Sequence, residues 1–172
     1  MPAAEFELRV DFRDFVAGKG AFSPYEIRSL NNVAGVDLHV GHYQKPGEAR
    51  PTTVRISVDQ AVLQFKIVGL DGNVGAYHPI GIGFTRADGT RPNGIPFTTA
   101  DRRLTGSPFK AVRMNERGST IEITSARIKD LPSIDKTNKK ARTHTTYRFV
   151  VFIQETETGL YGVIDPEIEN PN

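Results

Sequence analysis

The sequence predicts an all-β fold: a single domain over residues 1–172, built as an antiparallel β-sandwich of about nine strands with at most one short helix. Three observations lead there. Apolar residues recur with a period of two over short runs, the pattern of strands with one dry face and one wet face. Glycine (16) and proline (11) are scattered through the chain and separate those runs as turns. Between the runs there is no helical periodicity of the length that the crossovers of a parallel α/β sheet require.

The elements follow in chain order. Phe6, Leu8, Val10 and Phe12 alternate with Glu7, Arg9 and Asp11, which predicts a strand. Gly18-Lys19-Gly20 interrupts it. Ser23 as N-cap, Pro24 in the first turn and Glu26 three residues after the cap predict a short helix that Asn31-Asn32 ends. Residues 36–42 are a second strand, and Pro46-Gly47 and Pro51 bound a loop. Val54, Ile56 and Val58 point inward from the next strand, and Leu63, Phe65 and Ile67 from the one after the Asp59-Gln60 turn. Asp71-Gly72-Asn73 turns again. Ile80-Gly81-Ile82-Gly83-Phe84 is a strand whose glycines permit close approach by a backbone or a large side chain. Asp88-Gly89 turns, and residues 92–106 form a long irregular segment. Residues 109–114, 120–124 and 127–128 are further strand pieces, with Arg117-Gly118-Ser119 as a turn, and 131–143 is a polar connection. Tyr147-Arg148-Phe149-Val150-Val151-Phe152-Ile153 is so apolar that it predicts a central strand covered on both faces. A polar turn over 154–159 then leads to a partner strand, Leu160-Tyr161-Gly162-Val163-Ile164.

Composition excludes several functions. Lys plus Arg number 22 and Asp plus Glu 20, so a net charge of +2 gives no general attraction to nucleic acid or to an anionic membrane. The absence of cysteine removes disulfides, thiol catalysis and metal–thiolate sites. The first residues lack the basic start and apolar core of a signal peptide. No apolar run approaches the roughly 20 residues that span a bilayer. The expectation is a cytoplasmic protein.

The candidate site residues are few. Asp165, Glu167 and Glu169 stand at alternate positions of the tail, where an extended chain puts three carboxylates on one side, with the Asn170 amide beside them. Oxygen donors of this kind suit calcium. The plainer alternative is a charged edge that discourages strand addition, with Pro166 removing a donor. His39 and His42 form His-Val-Gly-His. On a strand they face opposite sides unless Gly41 introduces a bulge, so they bind a metal together only in that case. Asp37 shares a face with His39 and could form an acid–base pair with it. His78 and His144 read as hydrogen-bonded residues near strand ends. Lys129, Lys136, Lys139, Lys140 and Arg142 make a basic connection without aromatic residues to stack bases, hence a solvated hairpin tip. Tyr43, Tyr77 and Tyr161 would stack on a sugar if the fold brought them together. No residue set converges on catalysis, and no cofactor is expected.

From about Ile80 onward, the chain resembles a bacterial family of small proteins named for an Asp-Pro…Glu-Pro ending, the DP-EP family. The matching pieces are Gly83-Phe84, Pro96-Phe97-Thr98-Thr99, Ser119-Thr120-Ile121-Glu122-Ile123, the apolar run 147–153 and Ile164-Asp165-Pro166-Glu167-Ile168-Glu169-Asn170-Pro171. Asn170 stands where the family usually has an acidic residue. The resemblance implies a β-rich fold and no established activity. A more distant similarity, to inclusion-body proteins whose sandwich ends on an Asp-Pro segment, implies self-assembly or sugar binding. The expectation is a non-enzymatic module that binds a ligand or protein partner, or self-associates, with loops on a rigid sandwich as the binding surface. Two alternatives stay open: a lectin-like carbohydrate-binding module, calcium-assisted through the tail, and a metal-dependent enzyme using its histidines.

Overall fold

The computed structural model describes residues 2–10, 25–40, 52–86, 109–115, 119–126 and 144–171. Among them are eleven strands and no helix: Ala4–Val10 (β1), Tyr25–Ser29 (β2), Val36–Val40 (β3), Thr52–Ile56 (β4), Gln60–Gly69 (β5), Tyr77–Arg86 (β6), Phe109–Asn115 (β7), Thr120–Ala126 (β8), His144–Glu155 (β9), Tyr161–Ile164 (β10) and Glu167–Pro171 (β11). Several expected features lie outside the described residues. They are Phe12, the Gly18–Gly20 break, the cap pair Ser23-Pro24, the strand end at His42, Tyr43, the loop bounded by Pro46-Gly47 and Pro51, Asp88-Gly89, the 92–106 segment, Arg117-Gly118 of the expected turn, residues 127–128 and the basic connection 129–143.

The all-β sandwich is present as two packed sheets. One runs β2-β1-β5-β8-β7. In the other, β9 pairs β6 along one edge, and β10 followed by β11 along its other edge; β4 and β3 continue beyond β11. Both sheets are mixed rather than purely antiparallel, because β1 lies parallel to β5 and β11 parallel to β4. Alternation of apolar residues fixes which face of a strand is buried. It carries nothing about the direction of the partner.

The inward residues are the expected ones. Phe6, Leu8 and Val10, Val54 and Ile56, and Leu63, Phe65 and Ile67 are all buried. Phe65 joins the two sheets. Its ring stacks on Phe6 at 5.2 Å within its own sheet and tilts against Phe149 of β9 at 4.9 Å across the interface. Phe109 and Tyr147 meet edge to face at 5.3 Å.

Three expectations are corrected. The segment beginning at Tyr25 is a strand rather than a helix, since Ile27 is buried and all of β2 pairs with β1. The tail is no sheet edge: β11 lies between β9 and β4. Strand β9 is central, but its outer face is not fully covered, because Phe152 is 42% exposed. Phe152 lies across Gly81 of β6, where an added Cβ would stand 3.4 Å from the ring, an ordinary van der Waals contact.

Candidate functional site

The hairpin that closes at residues 156–160 decides where the tail charges go. Glu155 N donates to Leu160 O at 2.8 Å, and Gly159 takes a φ of 70° that favours glycine. From that turn the register along β9 never slips. Ile164 faces Val151 and Glu167 faces Arg148, with two residues intervening on each side. Pro166 interrupts the ladder only as a donor, since its carbonyl accepts from Phe149 N at 2.9 Å. Ile164, Pro166 and Ile168 therefore face the core, while Asp165, Glu167 and Glu169 face outward.

On that outer face the charges form a ladder across four strands. Glu167 stands between Thr53 of β4 and Arg148 of β9, with His39 of β3 beside Thr53. Glu169 stands beside Arg55, which in turn faces Asp37. Both glutamates are almost sealed, at 2% and 1% exposure. Thr53 Oγ1 donates to Glu167 Oε2 at 3.2 Å, and Arg148 Nε lies 3.5 Å from Glu167 Oε1. The Arg148 guanidinium also reaches Asp165, with Nη1 3.7 Å from Oδ2. Arg55 Nε donates to Glu169 Oε2 at 2.9 Å, and His39 Nε2 approaches the same oxygen at 3.1 Å. Burial pushes the Glu167 carboxyl above its usual range, against the opposing pull of Arg148 and Thr53.

The three tail carboxylates do share one side, and each has a cationic neighbour. Among the described residues, no three histidine or carboxylate side chains are grouped to hold a metal ion. The ladder binds β11 to the strands on both its sides. His39 belongs to it, whereas its relation to His42 lies outside the described residues. Tyr77 and Tyr161 are on opposite faces of their sheet. Tyr77 packs against the core, and Tyr161 is 64% exposed on the outer face. His78 is hydrogen-bonded near a strand end, its Nδ1 3.2 Å from Thr156 Oγ1.

A second feature has no counterpart in the sequence expectations. The 69–77 and 156–160 turns meet at one end of the sandwich, beside Ser119 of the β7–β8 connection. Thr156 N donates to Ala76 O at 2.8 Å and Thr156 Oγ1 to Gly75 O at 3.4 Å. Ser119 Oγ donates to Tyr77 O, and Ile67 N to Ser119 O at 2.8 Å. Exposed large apolar side chains lie on these two turns, Leu70 and Val74 on one and Leu160 on the other, and on the strands that lead from them, Ile80 of β6 and, on the outer face, Phe152 of β9 and Tyr161 of β10. Apart from Tyr161, a candidate for sugar stacking, these positions read in the sequence as ordinary turn and strand residues. The available signal was a Leu or Val inside each of two polar turns.

The chain matches no protein-family model and no curated protein. No helix among the described residues is long and apolar enough to cross a membrane.

Proposed function

We propose that this chain is a non-enzymatic binding module that docks a partner on the braced end of its sandwich. The observation that carries this is the collection of exposed apolar side chains at one end, on turns tied to each other by hydrogen bonds. Scattered exposed apolar residues are ordinary in any protein, whereas a shared surface marks an interaction site. Rigid turns also lower the ordering cost of binding. The charged ladder supports the same division of labour. Its carboxylates already face arginine, so the tail serves the fold and the turns remain for recognition. Kinship with the DP-EP-type family belongs to this proposal, because the Asp-Pro-Glu-Ile-Glu tail would then be a structural signature. An NMR screen of small aromatic fragments tests it. Shift changes should centre on Leu70, Val74 and Leu160 and vanish in Leu70→Ser/Val74→Ser. Hits centred elsewhere, or none, would defeat the reading.

One observation favours carbohydrate as a second reading. Phe152 and Tyr161 are exposed on the same sheet face of neighbouring strands, a surface on which a sugar ring could stack. With no tryptophan present, tyrosine fluorescence reports on such binding directly. Titration with soluble oligosaccharides should change that emission, and Tyr161→Ala should abolish the change. A flat titration in the unaltered protein removes this reading.

A further inference from the structure

The apolar end has a charge of its own. Across residues 68–78 and 154–161, Asp71, Glu155 and Glu157 are the only Asp, Glu, Lys or Arg side chains, although the whole chain carries a net +2. Asp71 and Glu157 are exposed, and Glu155 accepts a hydrogen bond from Thr158 Oγ1. The acidic character is felt locally: Tyr77 holds its hydroxyl proton more tightly than usual, first because of burial and then because of Glu155 and Asp71. The apolar tips Leu70, Val74 and Leu160 therefore belong to segments whose charged side chains, Asp71, Glu155 and Glu157, are all acidic, and these carboxylates are the rim of the inferred surface.

Resting on the docking reading above, we infer that this end recognises a partner polypeptide segment in which apolar side chains alternate with lysine or arginine. Complementary charge decides among the occupants an apolar end could take. A second copy of the chain meeting end to end would set Asp71, Glu155 and Glu157 against their equivalents, and like charges brought together across an interface cost free energy. An anionic bilayer is repelled for the same reason. A basic, apolar segment places its aliphatic side chains on Leu70, Val74 and Leu160 and its cations on the rim. The rim then sets encounter rate and salt dependence, while the apolar centre sets residence time.

The test uses two fluorescein-labelled peptides, one alternating Leu with Lys and one alternating Leu with Glu, with binding to the full chain followed by anisotropy at low and high salt. The Leu-Lys peptide should bind several-fold more tightly, and salt should erase the difference. Asp71→Asn/Glu157→Gln should remove most of that preference, while Leu70→Ser/Val74→Ser should weaken both peptides. Equal binding of the two peptides, weakened alike by Leu70→Ser/Val74→Ser, overturns the charge inference and leaves the docking reading standing. Binding insensitive to both double variants, or no binding, overturns both. A concentration-dependent dimer in sedimentation that Leu70→Ser/Val74→Ser dissolves would replace the basic segment with a second copy.

Discussion

Arg148 is the point at which the charged ladder can be tested most sharply. It lies beside two carboxylates, with Nε 3.5 Å from Glu167 Oε1 and Nη1 3.7 Å from Asp165 Oδ2, and Glu167 is only 2% exposed. Arg148→Met keeps an aliphatic stem in place and removes the guanidinium, leaving Glu167 in its buried position with Thr53, among the described residues, to assist it. Removing one partner of a buried pair costs about 3–5 kcal/mol. For a domain of this size, that lowers Tm by roughly 6–20 °C. Glu167→Gln should behave in the opposite way. The carboxyl is held above its ordinary value of 4.5 chiefly by burial, so the fold favours its neutral form. The contribution of Glu167 to stability is therefore fully present below about pH 4.5 and is lost as pH climbs through the raised folded value. Gln resembles the neutral acid at every pH. The stability of Glu167→Gln relative to the unaltered chain should be near zero at the acid end and grow in favour of the variant toward pH 7. In Arg148→Met/Glu167→Gln, most of the loss should be recovered. Chemical denaturation followed by circular dichroism across pH 4–8 measures all four proteins. Additivity within about 0.5 kcal/mol would show that Arg148 and Glu167 are not coupled. A loss in Glu167→Gln as large as that in Arg148→Met would show that the buried charge stabilises the sheet, contrary to the argument.

Three further outcomes are expected. Gly35 has a φ of 83°, and an added Cβ would run into Val58 Cγ1, so Gly35→Ala meets both a left-handed backbone and an occupied space. It should cost about 2–5 kcal/mol, the sum of the two penalties, in the same denaturation assay. Ser119→Ala leaves the Tyr77 carbonyl without its Ser119 donor and should cost about 1–3 kcal/mol, with faster amide exchange over residues 69–77 as the local signature. Phe65→Ala empties the ring that joins the sheets and should cost about 3–5 kcal/mol by denaturant titration.

What the sequence reveals of this fold divides along a physical line. Burial of one face is a local pattern, so β1, β4 and β5 and their inward residues are legible, as is the hairpin that carries the tail back along β9. Strand β2 is not. Ser23, Pro24 and Glu26 satisfy the local rules of a helix start, while Ile27 gains more from burial and from pairing with β1, a choice made by tertiary contact. The exposed side of Phe152 is hidden for a related reason, since a continuous apolar run does not say which face is dry.

The tail is the most instructive case. Three alternating carboxylates look like a solvated edge when their partners are unknown, and the β4 partners Thr53 and Arg55 lie 114 residues earlier in the chain. Half of the answer is nevertheless within reach. Once the turn at 156–160 is placed, extending the hairpin through Pro166 without a slip sets Glu167 opposite Arg148. A proline stops a strand from donating one hydrogen bond, and it need not stop the strand. The carboxylate that this register sets opposite an arginine has a cross-strand partner, so the hairpin alone argues that Glu167 is paired. The proposed docking surface differs in kind. Leu70, Val74 and Leu160 become a surface only when separate turns are tied together, and no spacing along the chain records that.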